Sequence, residues 1–216
     1  MSNYCKITKE KTEEIINFGK MPIANGFLDK KNFDKEFFFN LSASFSRKVS
    51  LLQLNDFPKP SQMFNDNYPF YTSSSKFMIN HFKEYSKFVK KLLPPKGKLI
   101  EIGSNDGTFL NNFKNLNIES VGIEPSKNVH IVACKRGIKS KNIFFNQFNI
   151  KKNVKNFIGK TDIIVGANVV CHIPNLIEFI KTCDLLLGPN GKIIFEEPYL
   201  GSMYDKTSYD QIYDEH

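Results

Sequence analysis

The segment that most constrains the fold is a hydrophobic stretch that runs directly into a glycine-bounded turn, Leu99-Ile-Glu-Ile-Gly-Ser-Asn-Asp-Gly107. Gly103 and Gly107 let the backbone approach a ligand closely, and the N-terminus of a following helix offers free N–H donors. A second hydrophobic stretch ends at Glu124, about 20 residues further on, where a carboxylate can accept hydrogen bonds from ribose hydroxyls. Together the two segments predict that a ligand lies across this turn.

Strand-like and helix-like segments alternate through the later part of the chain, which predicts an α/β fold with a parallel, doubly wound sheet of about five strands. The predicted strands are Lys98–Ile102, Ser120–Ile123, Asn142–Phe145, Asp162–Ala167 and Lys192–Glu196. The predicted helices between them are Thr108–Leu116, Lys127–Arg136, Lys151–Phe157 and Asn175–Leu187. A further helix, from Ser73 to about Leu93, is predicted by apolar residues at helical spacing that end before Pro94.

The first part of the chain has a different pattern. Short aromatic runs such as Phe37–Phe39 alternate with turn-forming pairs such as Asn55-Asp56. This pattern predicts a small strand-rich module. We therefore divide the chain into an N-terminal module, residues 1–75, and an α/β domain, residues 76–216.

The formal charge of +8 at pH 7 does not indicate a nucleic-acid partner. The basic residues are mostly scattered lysines with Arg47 and Arg136 as the two arginines, whereas phosphate and base recognition favours the bidentate arginine fork. The four cysteines form no C-x-x-C pair, so we expect a reduced, cytoplasmic protein. No apolar run approaches the roughly 20 residues of a membrane helix, so we expect no membrane partner.

Three interpretations of the glycine turn compete. A dinucleotide site normally has G-x-G-x-x-G, whereas this turn has G-x-x-x-G with Glu101 two residues before its first glycine. A purely structural explanation is that Gly107 starts a helix and Glu124 is a solvated strand end. The spacing resembles that of class I S-adenosylmethionine-dependent methyltransferases, which have a Rossmann-like sheet, and the register of the two segments favours this interpretation.

The resemblance implies S-adenosyl-L-methionine as the cofactor. It implies that Asn168, after the fourth predicted strand, holds the amino or carboxylate group of the methionine part. The adenine is expected near Asn146, Gln147 and Phe148, after the third predicted strand. The complete set of predicted cofactor-binding residues is Glu101, Gly103, Asn105, Asp106, Gly107, Glu124, Pro125, Asn146, Gln147, Asn168, Ser73 and Ser74.

Six segments in the same order also resemble one subfamily, the sugar C-3 methyltransferases that make branched-chain deoxysugars from nucleotide-linked keto sugars. They are Phe18–Asn25, Met63–Ser74, Glu101–Gly107, Ala167–Pro174, Phe195–Gly201 and Ser208–His216. The resemblance spans the whole chain and implies a nucleotide-diphosphate keto-sugar as the substrate.

In such enzymes a base removes the C-3 proton of the sugar, and the carbon of the resulting enolate attacks the sulfonium methyl. The motif match implies that His216 is this general base, a role that suits imidazole because its pKa lies near working pH. It also implies that Tyr213, Glu215, His172 and Tyr68 support the site, where a phenol or imidazole can donate to the developing oxyanion. Packing is the alternative explanation for the two tyrosines, and closure of a helix N-terminus for His172.

The N-terminal module departs from the family pattern. The family holds a structural zinc there with two C-x-x-C pairs, which correspond here to Cys5-Lys-Ile-Thr8 and Ser46-Arg-Lys-Val49. One thiolate cannot complete a tetrahedral site, so we predict no metal. We expect Phe37–Phe39 and Phe45 to supply core in its place.

The length also departs from the family pattern. The family has further strands and a C-terminal domain that helps to bind the nucleotide sugar, whereas this sequence ends after the fifth predicted strand. We therefore expect an incomplete sheet, and either a truncated product or a second chain that supplies the rest. Two alternatives stay open: a noncatalytic cofactor-binding subunit that needs a partner chain, and a class I methyltransferase of another small molecule.

Overall fold

The computed structural model describes residues 3–24 and 26–213, which form two compact units. The first unit combines the described residues up to Met63 with Cys171–Leu176 and the described residues from Glu197 onward. The second unit comprises Phe64–Val170 and Ile177–Glu196. The domain boundary at residue 75 that we drew from the sequence stays a prediction. Across the described ranges, no helix is both long enough and apolar enough to span a membrane.

The strands are β1 (Glu13–Pro22), β2 (Phe38–Ser46), β3 (Leu51–Leu54), β4 (Lys98–Ile102), β5 (Glu119–Ile123), β6 (Ser140–Lys141), β7 (Thr161–Ala167) and β8 (Leu187–Glu196). The α-helices are α1 (Pro60–Met63), α2 (Lys76–Leu92), α3 (Lys127–Lys135), α4 (Gln147–Asn153), α5 (Leu176–Leu186) and α6 (Leu200–Asp205). Short 3-10 helices cover Lys30–Lys35, Thr72–Ser74, Leu110–Phe113, Lys155–Phe157, Val170–His172 and Tyr209–Gln211.

The first unit is built on an antiparallel sheet in the order β1-β2-β3, which confirms the predicted strand-rich module. Alternate residues of a strand point to the same face, and Phe39, Leu41 and Ala43 of β2 pack with Leu54 of β3 in a buried core. The expectation for the aromatic run was wrong at Phe38, which is 50% exposed because it points to the opposite face. It was also wrong at Phe37, which precedes β2 and is 42% exposed.

The second unit contains a parallel sheet in the order β6-β5-β4-β7-β8, which confirms the predicted α/β fold and its five strands. The chain first builds outward from β4 through β5 and then returns to the other side of β4 with β7. The order of the strands therefore reverses between β4 and β7, and ligands of such sheets bind outside the carboxyl ends of the strands at this switch point.

The prediction of a third strand at Asn142–Phe145 was wrong. The third strand of the sheet is Ser140–Lys141, whose two residues pair with Gly122 and Ile123 of β5. Asn142 leaves the sheet because its side-chain amide donates to the carbonyls of Glu124, at 2.9 Å, and Pro125, at 2.7 Å.

The predicted helix after the glycine turn, Thr108–Leu116, is reduced to the 3-10 helix Leu110–Phe113. The side-chain amide of Asn112 donates to the carbonyls of Thr108, at 3.2 Å, and Phe109, at 3.0 Å. A side chain that binds backbone carbonyls in this way competes with helical hydrogen bonds. Phe109 and Phe113 are nevertheless buried in the core against Phe82 of α2.

Two other helices begin directly after residues whose side chains cap them. Helix α2 starts at Lys76 because the Ser75 hydroxyl accepts from Met78 N at 3.3 Å. Helix α4 starts at Gln147, earlier than predicted, because the Asn146 side chain accepts from Asn149 N at 2.9 Å. Such caps satisfy donors that the first helical turn leaves unpaired.

Candidate functional site

Gly103 opens the turn that follows β4, at the switch point of the second unit. Its φ is 66°, in the left-handed region, and its N–H donates to Ile123 O at 2.8 Å, which ties the turn to β5. A Cβ added at Gly103 would lie 2.6 Å from Cγ2 of Val169. This position requires glycine for its backbone conformation and for the close approach of a neighbouring side chain.

The polar side chains in the middle of this turn, Asn105 and Asp106, hold the segment that precedes α2. Asn105 Oδ1 accepts from Thr72 N at 3.0 Å, while its amide donates to Phe70 O at 3.0 Å. Asp106, whose side chain is fully buried, accepts from Ser73 N at 3.0 Å through Oδ2. The side chains predicted to bind the cofactor thus order residues 70–73, which we call the docking segment.

Arg136 anchors the same segment from α3's C-terminal end. Its guanidinium donates to Ser73 Oγ at 2.6 Å and lies 3.3 Å from the Asp106 carboxylate. Burial raises the pKa of Asp106, but the hydrogen bonds from Ser73 and Thr108 and the charge of Arg136 outweigh it, so the pKa is lowered. Sequence analysis noted Arg136 as a rare arginine but gave it no role in the site.

Glu124 stands at the carboxyl end of β5, where the sequence placed the ribose-binding carboxylate. Oε2 accepts from Asn105 N at 2.8 Å, and Oε1 accepts from Ser126 N at 2.7 Å. Burial raises the pKa of Glu124, and hydrogen bonding by Ser126 and Asn105 opposes the rise. Each carboxylate oxygen has a second lone pair, so Glu124 can hold the turn and still accept from a ligand.

Glu101 lies in β4, inside the sheet, and is 6% exposed. Burial raises the pKa of its carboxyl well above the ordinary value, and the nearby carboxylates of Glu124 and Asp106 raise it further. A cation close to this carboxyl would favour its ionised form.

Four buried side-chain atoms in this part of the second unit have no hydrogen-bond partner among the described residues: Glu101 Oε2, Ser104 Oγ, Ser126 Oγ and Asn128 Oδ1. Buried polar atoms without a partner are costly and uncommon in folded proteins. All four belong to β4, the glycine turn or the start of α3. The Ser104 hydroxyl packs against Gly122 of β5, and a polar ligand at this edge of the sheet is a candidate partner for the other three atoms.

The other predicted cofactor residues have varied surroundings. Asn146 caps α4, and the side-chain Oε1 of Gln147 accepts from Lys151 Nζ at 3.3 Å. Pro125 O accepts from Asn142, and the Ser74 hydroxyl donates to Tyr71 O at 2.7 Å. Gly107 has a φ of 78°, and an added Cβ would lie 2.9 Å from Ile138 Cγ1, so packing accounts for this glycine. Cofactor contact by these residues stays a prediction.

Asn168 directly follows β7 at the same edge of the sheet, and its side chain is exposed. Its φ of 53° is left-handed, and its N–H donates to Glu196 O at 2.7 Å. The Glu196 carboxylate lies 2.8 Å from Nε2 of His81, which belongs to α2. Neither His81 nor Glu196 could be predicted from the sequence, since 115 residues separate them and no local pattern connects a helix to the last strand.

The residues implied in acceptor chemistry belong to different parts of the chain. Tyr68 lies in the second unit, where its ring contacts Phe64 and Phe70 at centroid distances of 5.7 Å. His172 and Tyr213 lie in the first unit and are partly buried. Burial lowers the pKa of His172 to about 4, although the charge of Glu197 opposes the shift. Glu215 and His216 lie outside the described residues.

A small cavity within the first unit is lined by Lys6, Phe57, Met63 and Cys171–Pro174, a range that includes His172. The Lys6 ammonium lies over the Phe57 ring, 4.3 Å from its centroid. Burial lowers the pKa of Lys6 to about 8. Within the described part of the chain no carboxylate forms an ion pair with Lys6. No sequence pattern pointed to this lysine.

Comparison with known protein families now identifies the chain. A family model described as "Methyltransferase domain" matches residues 77–216. The chain belongs to this methyltransferase family. The match confirms the predicted enzyme class.

The chain is similar to other methyltransferases in sequence and in structure. C-methyltransferase NovU from Streptomyces niveus is 27% identical over 206 residues, covering 94% of this chain and 49% of NovU. The chain thus spans about half the length of that relative. A SAM dependent methyltransferase from Archaeoglobus fulgidus has a similar structure, with a TM-score of 0.52 and 18% identity, covering 62% of this chain and 59% of that one.

A second family model, described as "Putative zinc binding domain", matches residues 5–64 of the methyltransferase. Structural zinc sites use four thiolate or imidazole ligands. Among residues 3–24 and 26–213, no group of three or more His, Cys, Asp or Glu residues is arranged to hold a metal ion. Burial raises the pKa of the Cys5 thiol, but hydrogen bonds involving Thr8, Ile7 and Ser46 lower it to about 7 overall. The residues present do not fit a structural zinc.

Proposed function

We propose that this chain forms the methyl-donor-binding part of a C-methyltransferase that acts on a keto nucleotide-sugar. The observation that carries the proposal is the 27% identity to C-methyltransferase NovU, because it extends over 94% of this chain and therefore includes both units. The keto-sugar substrate is supported by the resemblance of six ordered segments, which extend well beyond the glycine turn.

The second unit provides a fitting site for S-adenosylmethionine, the methyl donor. Glu124 can accept from ribose hydroxyls, and the unpartnered atoms of Ser126 and Asn128 can bind other polar groups. The positive charge of the donor suits the buried carboxyl of Glu101, because burial and the charges of Glu124 and Asp106 disfavour its ionised form in the free protein. When bound, the donor supplies an electrophilic methyl group to the acceptor carbon.

The acceptor carbon must first lose a proton. His216 takes the C-3 proton of the keto sugar, and the ketone oxygen becomes the enolate oxygen. Tyr213, Glu215 and Tyr68 orient the base and the acceptor. Because its pKa lies near 4, His172 is neutral at physiological pH and acts as a hydrogen-bonding group, leaving proton removal to His216.

Lys6 binds an anionic oxygen of the acceptor, and we assign this oxygen to the diphosphate. The ammonium is partly buried and lines the same cavity as His172. An anion there regains the electrostatic stabilisation that the ammonium loses on leaving water. Since the chain spans about half of NovU, the remaining contacts to the nucleotide come from a further domain or a second chain.

Proton removal can be tested separately from methyl transfer. The chain is incubated in D₂O with S-adenosylhomocysteine and a thymidine-diphosphate 4-keto-6-deoxy sugar, and deuterium at C-3 is followed by proton NMR. The proposal predicts exchange faster than in a protein-free control. His216→Asn should abolish the acceleration and leave calorimetric binding of S-adenosylhomocysteine unchanged.

The other outcomes separate the alternatives. Cofactor binding without C-3 exchange, in the chain alone and after addition of a partner domain, would contradict the keto-sugar proposal and favour another small-molecule acceptor. Exchange that appears after addition of the partner would identify this chain as one part of a split enzyme. Absence of S-adenosylhomocysteine binding would contradict the cofactor site itself.

A further inference from the structure

Two short turns of the first unit meet at the thiol of Cys5. The first turn is Cys5–Thr8, and the second is Ser46–Val49, at the end of β2. Cys5 is 1% exposed, and its Sγ accepts from Thr8 N at 3.4 Å. The side chains of Thr8 and Ser46 lie close enough to this thiol to help lower its pKa to about 7. The two turns therefore meet at one sulfur atom.

The two turns have one backbone feature in common. The residue after the first turn, Lys9, has a φ of 61°, and the residue after the second, Ser50, has a φ of 51°. Residues with a Cβ rarely adopt this left-handed conformation, and they persist in it where their surroundings fix the chain. Both turns have the C-x-x-C length that places two sulfurs on one metal ion. They thus have the spacing of a two-pair site, although Cys5 is the sole thiol in the four positions.

A buried amide connects the first turn to the hairpin. Gln53 of β3 is 5% exposed, its Oε1 accepts from Lys6 N at 2.8 Å, and its Nε2 donates to Tyr4 O at 2.9 Å. These hydrogen bonds hold the chain on both sides of Cys5. A structural metal would provide this kind of cross-link between distant segments.

We propose that the N-terminal module is a zinc fold that has become independent of metal. The hydrogen bonds of the Gln53 amide to Lys6 and Tyr4, together with the packing of Cys5 between the two turns, replace the metal as the connection between them. The backbone has kept the shape of the metal site, so restoring the thiols at positions 8, 46 and 49 should restore metal binding.

The first experiment uses the unaltered protein. We expect less than about 0.1 equivalent of zinc by mass spectrometry after expression in zinc-supplemented medium. The melting temperature should change by less than about 1 °C when a zinc chelator is added. Near-stoichiometric zinc, or a clear loss of stability with the chelator, would overturn the proposal.

The second experiment restores the ligands. The variant Thr8→Cys/Ser46→Cys/Val49→Cys should bind one Co²⁺ with the absorption spectrum of tetrahedral thiolate coordination, and metal should raise its melting temperature. The matched control, Thr8→Ser/Ser46→Ala/Val49→Ser, lacks the new thiols and should bind no cobalt. A folded triple-cysteine variant without tetrahedral cobalt would contradict a preserved site geometry.

A third variant tests the hydrogen-bonded replacement, and it does not depend on the triple-cysteine protein folding. Gln53→Leu removes the amide and should lower the melting temperature by about 2–4 °C or more. The exposed residue Gln211 provides the control substitution Gln211→Leu, which should have little effect. Equal melting temperatures for the two variants would refute the role assigned to Gln53.

Discussion

The carboxylate of Glu124 accepts a hydrogen bond from the backbone N–H of Asn105 at 2.8 Å, so the end of β5 holds the turn that follows β4. Glu124, the side chain predicted to bind the ribose, thus also fixes the backbone against which the cofactor would lie. Removal of this carboxylate should affect the site twice, through a lost ligand contact and through a loosened turn.

Glu124→Ala should therefore weaken S-adenosylhomocysteine binding at least about tenfold, which corresponds to about 1.4 kcal/mol. Isothermal titration calorimetry measures this change. Glu119→Gln, at the opposite end of the same strand, is the control and should bind normally. Equal affinities of the two variants would contradict the placement of the cofactor.

Glu101→Gln should make stability less sensitive to rising pH. The folded-state pKa of Glu101 lies well above its ordinary value of 4.5, so above that pH the unfolded chain loses the proton first. The folded chain holds the Glu101 proton more tightly than the unfolded chain does. The stability that this tighter binding contributes is complete below pH 4.5 and is lost as the pH rises through the folded-state pKa. The variant lacks this loss, and each unit of pKa shift is worth about 1.4 kcal/mol.

Urea unfolding of both proteins at pH 4.5 and pH 8 tests this expectation for Glu101. The difference in unfolding free energy, variant minus wild type, should be more favourable at the higher pH. A difference that does not change with pH would show that Glu101 titrates as an ordinary carboxyl.

Arg136→Lys should destabilise the protein by about 1–2 kcal/mol, because lysine keeps the charge but cannot donate to Ser73 and Asp106 together. Thermal unfolding gives the change in stability, and calorimetry shows whether the docking segment affects cofactor affinity. Arg47→Lys is the matched control, since its exposed ion pair with Glu13 should contribute less than about 1 kcal/mol. A smaller effect at Arg136 than at Arg47 would rule out the anchoring role.

Acidification should destabilise the protein partly through His172. Its pKa is lowered from 6.5 to about 4, so between these values the unfolded chain takes up a proton that the folded chain does not. Stability is therefore lost as the pH falls through this range. His172→Gln should reduce the loss measured by urea unfolding. In NMR spectra of wild type, the ring of His172 should remain neutral at pH 6; titration near 6.5 would refute the assignment.

Lys6→Met should raise the KM for the nucleotide-sugar about tenfold or more in an assay that supports turnover, as expected when a buried charge pair loses one partner. The affinity for S-adenosylhomocysteine should stay the same, because Lys6 belongs to the first unit. Lys6→Arg keeps the positive charge and should raise the KM less than Lys6→Met does. Lys9→Met changes an exposed lysine and should leave the KM nearly unchanged. An unchanged KM for Lys6→Met would exclude the diphosphate contact.

The sequence was sufficient to predict the α/β class and the position of Glu124, because strand-turn spacing places the carboxyl ends of neighbouring strands together. The sequence was insufficient to predict that the Asn105 side chain binds the backbone of Phe70 and Thr72, because these residues lie at a distant point in the chain. The pair of His81 and Glu196 was missed for the same reason, since side-chain direction across elements is set by packing.

Local competition explains the remaining errors in the fold. The helix predicted at Thr108–Leu116 failed where Asn112 binds backbone carbonyls, and the strand predicted at Asn142–Phe145 failed where Asn142 binds the end of β5. An asparagine side chain can bind nearby or distant carbonyls, and hydrophobic periodicity does not predict which carbonyl it will bind.

The way in which the glycine turn is held on both sides also affects how much of the contact energy contributes to cofactor affinity. Glu124 holds the turn from one side and the docking segment holds it from the other, so the backbone is ordered before any ligand arrives. Much of the conformational entropy of the turn is therefore lost during folding, and this preorganisation leaves more of the contact energy available for affinity. Cofactor binding should then be favoured by a turn whose shape changes little between the free and the bound protein.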